Sequence, residues 1–271
     1  MQTSICIVVA MESERKHLDA LMPGWEREED PIWPMWRQGD ILTITCGIGM
    51  VAAAAATQYV ISRFAPKYVL NFGCTGAHMM DIHLGDVVIG DHIVNHGLMR
   101  FAPNGSIIPL TIGFHVPGET ESVTQLNSDP RLLSIAQSVA EKLDLPIWPE
   151  EPDHPRSTHE PAVHTGTVSS GDIWKQDPVV IRQTHELTGS LCEDMEAASI
   201  AQICAMHRVP FLTVKDISNN ELHRSTIFEG STSELHSDEL GLRAAMVLSR
   251  VIRVLVGETS EVTRKSVASQ S

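Results

Sequence analysis

The stretch from Cys192 to Glu221 constrains the fold of this chain more than any other part of the sequence. It opens with clustered carboxylates, continues as an alanine-rich run from Ala197 to Met206, and ends in an apolar, β-branched segment from Phe211 to Ile217. The alanine-rich run predicts a helix, and carboxylates at its start suit the positive end of the helix dipole. The β-branched segment is typical of a buried strand. Small polar residues at positions 218 to 220 then place hydrogen-bonding groups at the strand tip, where open α/β sheets bind ligands.

Strand-like and helical patterns alternate along the rest of the chain as well. The predicted strands are Ser4–Ala10, Ile41–Cys46, Tyr68–Phe72, Asp86–Val94 and Val163–Ser170. One predicted helix starts at Glu12. The others cover about Met50–Phe64, Pro130–Leu143 and Asp238–Val256. Between them, Gly73–Gly76 is predicted to form a small-residue turn that a ligand can approach closely. This alternation indicates an α/β fold around a mostly central sheet.

Nothing in the sequence divides the chain into two domains. A length of 271 residues fits one large domain, which we place at residues 1–257. A proline-rich stretch at about residues 144–162 predicts an exposed loop insertion. The polar residues 258–271 predict a flexible C-terminal tail.

Charge and cysteine content limit the partners and the compartment. The chain has 34 acidic and 20 basic residues and a net charge of −14, which argues against nucleic acid or an anionic membrane as a partner. Five cysteines, an odd number without CxxC spacing, favour reduced thiols and a cytoplasmic location. The apolar run Ile5–Met11 has no basic residue before it and an acidic residue directly after it. It is therefore predicted to be a first strand rather than a signal peptide or a membrane span.

Polar groups follow three of the predicted strands and would meet at one edge of the sheet. Glu12 follows the first strand, Gly73–Gly76 follows the third, and Asn219 lies at a strand tip downstream of the Asp194 and Glu196 carboxylates. Each carboxylate by itself could simply favour the start of a helix. Together, paired carboxylates can bind sugar hydroxyls and activate a water molecule, which is the equipment of N-glycoside cleavage.

Two further patterns do not predict a cofactor. Gly47–Ala52 matches GxGxxA, but it lies in the second strand–helix unit and is followed by Asn71 where a dinucleotide site needs an acidic residue. A tight turn that lends its amides to a sugar or an anion is the favoured interpretation. The histidines between residues 78 and 96 lack the spacing of a metal site on one helix. We therefore expect neither an organic cofactor nor a metal.

Seven segments between positions 5 and 220 carry a family resemblance. They are Ile7–Glu12, Gly47–Ala54, Asn71–Gly76, Leu84–Ile89, Ser170–Asp172, Asp194–Ala198 and Val214–Asn219. In this order they resemble the nucleoside phosphorylase/nucleosidase superfamily and are most similar to the 5′-methylthioadenosine/S-adenosylhomocysteine nucleosidases. The resemblance implies a three-layer α/β/α sandwich around a twisted mixed central sheet, a homodimer, and a nucleoside as the small-molecule substrate.

The resemblance also assigns roles to single residues. Glu12 becomes the base that activates the attacking water, and Met195 and Glu196 form the ribose platform, with Glu196 accepting from the 2′- and 3′-hydroxyls. Trp174 falls where an aromatic residue stacks on the base, and backbone groups at Lys175 read the purine edge. The remaining expected substrate contacts are Cys74, Thr75 and Gly76 beneath the sugar, with Asp194 and Ser218.

Two positions favour water over phosphate as the nucleophile. In the resembling superfamily, phosphorylases hold the phosphate dianion with a glycine loop after the first strand and with arginines, one of them just before the glycine-rich turn. Here the position after the first strand is Glu12, whose charge repels phosphate. The position just before the glycine-rich turn is Asn71 rather than an arginine. The sequence therefore predicts a purine nucleoside hydrolase in which Glu12, Glu196 and Asn219 carry the chemistry.

Asn219 departs from the resembling nucleosidases, which place an aspartic acid there to protonate N7 of the leaving adenine. An amide cannot donate that proton. Three explanations stay open: Asn219 binds another base such as a 6-oxopurine, Glu221 replaces the missing acid, or the protein is a catalytically weak binding or storage relative. The amide predicts that adenine is not the favoured base. A methylthioadenosine/S-adenosylhomocysteine nucleosidase proper and a nucleoside phosphorylase are the alternatives to a general purine nucleosidase.

Overall fold

The computed structural model describes residues 3–149, 159–223, 225–226 and 238–268. Within these ranges the strands are β1 Ile5–Val9, β2 Glu26–Glu28, β3 Met35–Gln38, β4 Ile41–Thr45, β5 Tyr68–Ala77, β6 Val87–Asn95, β7 Met99–Phe101, β8 Ile107–Pro109, β9 Ile112–Val116, β10 Glu119–Val123, β11 Leu126–Asn127, β12 Val163–Ser170, β13 Ser190–Asp194, β14 Phe211–Asn220 and β15 Ser225–Thr226. The helices are α1 Glu12–Leu21, α2 Met50–Phe64, α3 Pro130–Ala140, α4 Pro178–Thr188, α5 Ala197–His207 and α6 Leu242–Ala268. The predicted alternation of strands and helices is confirmed.

The central sheet is mixed, and part of it closes on itself. Strand β1 is buried along its whole length and pairs in parallel with β4 on one side and β5 on the other. Strand β5 also pairs with β14, and the ladder continues through β6, β12 and β13 back to β5. The last pairing is antiparallel and joins Glu193 to Gly76. The C-terminal ends of β1, β5, β13 and β14 therefore lie side by side, where they can share one site.

Two apolar cores lie on the two faces of the sheet. Helices α2 and α5 pack on one face, where small residues such as Ala53 and Ala56 let α2 approach closely. Helices α1, α3 and α6 pack on the other face of the sheet, and the core there includes the buried side of α6. The predicted three-layer α/β/α sandwich around a mixed central sheet is thus confirmed. In the part of the chain that the structure describes, no helix is both long and apolar enough to cross a membrane.

The predicted turn Gly73–Gly76 is not a turn. Strand β5 runs straight through it, and β14 pairs beside it from Lys215 opposite Gly73 to Asn219 opposite Gly76. The small residues serve close packing instead, because a Cβ at Gly73 would lie 2.7 Å from the Glu14 Oε1 atom. The polar tip of β14 also continues the strand to Asn220, so these side chains are held by the sheet.

The predicted loop insertion at 144–162 is not simply exposed. Trp148 is only 3% exposed, and it packs with Leu240 against Met11 and Cys74. An apolar indole therefore anchors the start of this segment behind the C-terminal end of β1. Residues 150–158 lie outside the described residues. The division at residue 257 stays a prediction, and the backbone of α6 continues as helix beyond it to Ala268.

Candidate active site

A cleft opens where β1, β5, β13 and β14 end. Its lining consists of Ala10, Met11, Glu14, Ile48, Cys74, Thr75, Gly76, Ile173, Trp174, Glu193, Asp194, Met195, Glu196, Ser218 and Asn219. The structure thus brings together all of the residues that the sequence predicted for the site except Glu12 and Lys175. It also adds two carboxylates that the sequence analysis missed, Glu14 and Glu193.

Glu12, the predicted base, lies outside the cleft. Its side chain is 53% exposed and bonds to Arg15 Nε at 2.6 Å and to Thr45 Oγ1 at 3.1 Å. Helix α1 begins at Glu12, and successive helical residues point about 100° apart. Glu12 and Glu14 therefore face opposite sides of the helix, and Glu14 is the one that faces the cleft. The cleft lining thus includes Glu14 and not Glu12, and the catalytic role of Glu12 stays a prediction.

Glu14 is a buried carboxylate held by two backbone amides. It is 2% exposed, its Oε1 accepts from Cys74 N at 2.8 Å, and its Oε2 accepts from Met11 N at 3.0 Å. Burial raises the pKa of the Glu14 carboxyl, while the Cys74 amide and the Lys215 ammonium oppose that rise. The Met11–Glu14 contact is the second half of a capping box, in which a glutamate at the third helical position reaches back to the N-cap amide.

Glu196 faces the cleft at the N-terminus of α5. Its Oε1 accepts from Gly49 N at 2.9 Å, and Gly49 has a φ of +103°, which suits glycine. Burial, and then the neighbouring Asp194 charge, raises the pKa of Glu196 to about 7. The GxGxxA turn therefore does lend an amide to an anion, and that anion is a carboxylate of the protein itself.

Asp194 lines the cleft, but its oxygens are occupied by the protein. Lys215 Nζ lies 2.6 Å from Oδ2, and the amide of Ala197 donates to the same oxygen at 3.1 Å. Ser170 Oγ donates to Oδ1. Lys215 is buried on β14, and nearby carboxylates raise its pKa although burial lowers it. Asp194 and Lys215 thus fix the floor of the cleft and the start of α5.

Lys175 does not line the cleft; its ammonium is buried beside Glu193. Lys175 Nζ donates to Glu193 Oε2 and lies 2.7 Å from His96 Nε2. Burial lowers the pKa of Lys175, and burial together with the lysine charge lowers the pKa of His96 to about 4. The backbone amide of Lys175, which was expected to read the purine edge, donates to Glu193 Oε1 at 3.3 Å. Glu193 therefore forms this part of the cleft wall.

Asn219 also lines the cleft, at the tip of β14. Its Nδ2 donates to Glu221 Oε1 at 3.3 Å. The Ser218 hydroxyl lies 3.2 Å from Asn219 Oδ1 and 3.3 Å from the Thr75 carbonyl oxygen, and can donate to either. The amide is thus held by side chains rather than by the backbone.

The charge of the lining suits a neutral, hydroxyl-bearing ligand. Four carboxylates and no lysine, arginine or histidine side chain belong to the lining in the described residues. Asn71, where a phosphorylase would be expected to hold an arginine, is buried in the core and bonds to Val8 O and Thr213 Oγ1. Such a wall accepts hydroxyl and water protons but repels a phosphate dianion. Among the described residues, no group of histidine, cysteine or acidic side chains is arranged to hold a metal ion.

Comparisons with known proteins agree with the fold. Residues 4–253 match the sequence model of the phosphorylase superfamily. A 5′-methylthioadenosine/S-adenosylhomocysteine nucleosidase from Geobacillus sp. is 28% identical over 215 residues, which cover 78% of this chain and 82% of the relative. The Neisseria meningitidis enzyme of that name, solved with methylthio-immucillin-A, superposes with a TM-score of 0.70 at 22% identity, over 93% of this chain and 99% of that one. A futalosine hydrolase mutant from Helicobacter pylori gives a TM-score of 0.72 at 18% identity, with the same coverage of the two chains. The chain belongs to the phosphorylase superfamily.

Proposed function

We propose that the protein is a nucleosidase that hydrolyses the N-glycosidic bond of a purine nucleoside. The proposed substrates are 5′-methylthioadenosine and S-adenosylhomocysteine. The observation that carries the proposal is the pair of buried carboxylates Glu14 and Glu196 in one cleft, each held by backbone amides. The names of the relatives support these two substrates more than the broader class of purine nucleosides.

In the proposed reaction Glu14 is the general base. It takes a proton from a water molecule whose oxygen bonds to C1′ of the ribose as the bond from C1′ to the base breaks. Glu196 accepts from the 2′- and 3′-hydroxyls, and Met195 supports the sugar. Positive charge that develops on the ribose is stabilised by the carboxylates around it, because they are fixed before the reaction begins. Trp174 stacks on the base at the mouth of the cleft.

Water rather than phosphate is the proposed nucleophile. The supporting observation is the acidic lining of the cleft, which disfavours a phosphate dianion next to Glu14. The same retained carboxylates speak against a pure binding or storage role, because a site that only binds has no need of a buried base beside the sugar.

Asn219 remains the point at which this chain departs from a methylthioadenosine nucleosidase. The prediction that adenine is not the favoured base is opposed by the names of the relatives. We propose instead that adenine nucleosides bind and are cleaved, and that the amide limits the rate because it donates a hydrogen bond and not a proton. Strong preference for a 6-oxopurine nucleoside would favour the sequence-based prediction over this proposal.

A substrate panel with two matched variants tests the function. Wild type, Glu14→Gln and Glu12→Gln are assayed for free base with methylthioadenosine, S-adenosylhomocysteine, adenosine, inosine and guanosine, with and without phosphate. We expect cleavage of the first two that ignores phosphate, is lost in Glu14→Gln, and is retained in Glu12→Gln. Loss of cleavage in Glu12→Gln alone would restore the original assignment, and dependence on phosphate would point to a phosphorylase.

We further propose a cytoplasmic homodimer. The homodimer is supported by an exposed apolar rim beside the cleft, formed by Ile48, Val51, Ile173 and Trp174. The cytoplasmic location is supported by the five cysteines, which are all free thiols. An exposed apolar patch next to a site is typical of a surface that another subunit covers. Light scattering of wild type and Val51→Glu tests it: we expect a dimer that the charge weakens, and a monomeric wild type would contradict the proposal.

A further inference from the structure

Asn219 and Glu221 form a buried side-chain pair at the tip of β14. Asn219 is 6% exposed and lines the cleft, whereas Glu221 is 7% exposed and does not belong to the lining. Glu221 is the first residue after β14, in the turn that follows the strand. Asn219 Nδ2 donates to Glu221 Oε1 at 3.3 Å. Among the described contacts, Glu221 is therefore joined to the cleft lining by its hydrogen bond with Asn219.

The pair determines which end of the Asn219 amide faces which neighbour. An ionised carboxylate only accepts hydrogen bonds, so the amide nitrogen and not its oxygen must face Glu221. The Ser218 hydroxyl lies 3.2 Å from Oδ1, which suits the same orientation. Gly76 leaves the space, because a Cβ there would lie 3.0 Å from Asn219 Nδ2. The second N–H of Nδ2 is then the hydrogen that Asn219 can offer to a bound base.

We propose that Glu221 is a positioning residue for departure of the base: its carboxylate orients the Asn219 amide so that the free N–H donates to N7 of the purine. This inference rests on the proposed function. As the bond from C1′ to the base breaks, its electron pair moves onto the purine, and the N–H stabilises the charge that collects at N7. The purine leaves as an anion and takes its proton from solvent water, while the attacking water gives its proton to Glu14.

Direct proton donation by Glu221 fits the geometry less well. Asn219 lines the cleft and Glu221 does not, and an amide does not relay a proton. The carboxylate acts more effectively by its charge, since a hydrogen bond from an amide to an ionised group is stronger than one to a neutral group. Glu221 thereby keeps the donor fixed before the base departs, as preorganised polar groups do in other sites.

The experiment is a double-mutant cycle on turnover. Glu221→Gln is made in wild type and in Asn219→Ala, and kcat and KM are measured with the nucleoside that the wild type cleaves fastest. We expect Glu221→Gln to lower kcat about tenfold with little change in KM, because one charge-assisted hydrogen bond is lost. In the Asn219→Ala background it should have no further effect. Glu186→Gln, at an exposed position on α4, is the matched control for the change in charge and should behave as wild type.

Two results would overturn the inference while the proposed function stands. One is an unchanged kcat in Glu221→Gln; the other is an equal loss in the presence and absence of Asn219, which would make Glu221 a general structural residue. If the wild type cleaves none of the nucleosides, the proposed function fails and this inference fails with it.

A second pair of variants covers the case in which Glu221→Gln does not fold. Asn219→Asp would place two carboxyl groups within contact, so they would share one proton and one of their pKa values would rise. We expect the alkaline limb of the kcat profile in Asn219→Asp to lie at higher pH than in Asn219→Asp/Glu221→Ala. Coincident profiles would show that position 221 does not act on position 219.

Discussion

The two ends of the cleft are held in different ways. At the proposed sugar end, Glu14 and Glu196 bond to main-chain amides, from Met11 and Cys74 in one case and from Gly49 in the other. At the proposed base end, Asn219 bonds to Ser218 and Glu221. Glu193, on the same wall as Trp174, is held by Lys175 through both its ammonium and its amide.

This difference bears on which end can change during evolution. A main-chain amide stays in place whatever side chain the donor residue carries, so the sugar end is fixed by the fold. Side-chain partners can be replaced by single substitutions, so the base end can acquire a new pattern of donors and acceptors. The departure from the resembling nucleosidases at Asn219 falls on the end where replacement is easiest.

The largest expected effect is at the sugar end. Glu14→Gln keeps the shape of the side chain but removes the proton acceptor, and we expect kcat/KM for methylthioadenosine to fall about 10³-fold. The measurement is release of adenine under single-turnover conditions. Glu12→Gln is the control, since Glu12 lies on the opposite side of α1. Equal losses in both variants would break the assignment of the base to Glu14.

Removing one partner at the base end should cost stability as well as activity. Lys175→Met leaves the buried Glu193 carboxylate with only the His78 and His96 imidazoles beside it, and we expect the free energy of unfolding to fall by about 3 kcal/mol. Denaturant unfolding measures the change. The double variant Lys175→Met/Glu193→Leu should recover most of the loss, because the carboxylate that lost its lysine partner is then absent as well. A loss below about 1 kcal/mol in the single variant would mean that the pair is solvated like a surface ion pair.

Asn219→Asp should raise the activity that the amide limits. A carboxylic acid can protonate N7 where the amide only donates a hydrogen bond, and we expect kcat with methylthioadenosine to rise about tenfold. KM should change little, since the contacts with the sugar are untouched. Inosine is the comparison substrate, and a rise confined to inosine would contradict the proposed role in adenine release.

The sequence predicts the fold well because its signals are local. Strand β12 and the alanine-rich helix α2 are predicted with the bounds that the structure gives, Val163–Ser170 and Met50–Phe64. The polar tip of β14 also identifies Asn219 as a residue of the site. The Gly73–Gly76 segment is predicted wrongly, because glycine indicates close approach as well as turns, and here the approaching group is Glu14.

The parts of the site that the sequence does not predict depend on distant contacts. Which of Glu12 and Glu14 faces the cleft depends on how helix α1 is rotated about its axis. The sequence leaves this rotation open, because both positions hold a glutamate. The burial of Lys215 depends on Asp194, and that of Glu193 depends on Lys175. These pairs join residues on different elements, so no spacing within one segment reveals them.

The smallest expected effect is a dependence of sugar binding on pH. Burial and Asp194 raise the pKa of Glu196 to about 7, so Glu196 loses its charge as the pH falls through that value. The ionised form accepts from both ribose hydroxyls, whereas the protonated form has less acceptor capacity. Affinity for the nucleoside should therefore be complete above the pKa and should decline below it.

The variant Glu14→Gln, which we expect to be inactive, allows this affinity to be measured without turnover. We expect the Kd of methylthioadenosine, measured by calorimetry, to rise about tenfold between about pH 8 and about pH 6. Free adenine lacks the hydroxyls, so its Kd should stay constant over the same range. If the affinities for adenine and for the nucleoside fall together as the pH falls, the titrating group belongs to the base end. The pH dependence would then no longer distinguish the backbone-held sugar end from the side-chain-held base end.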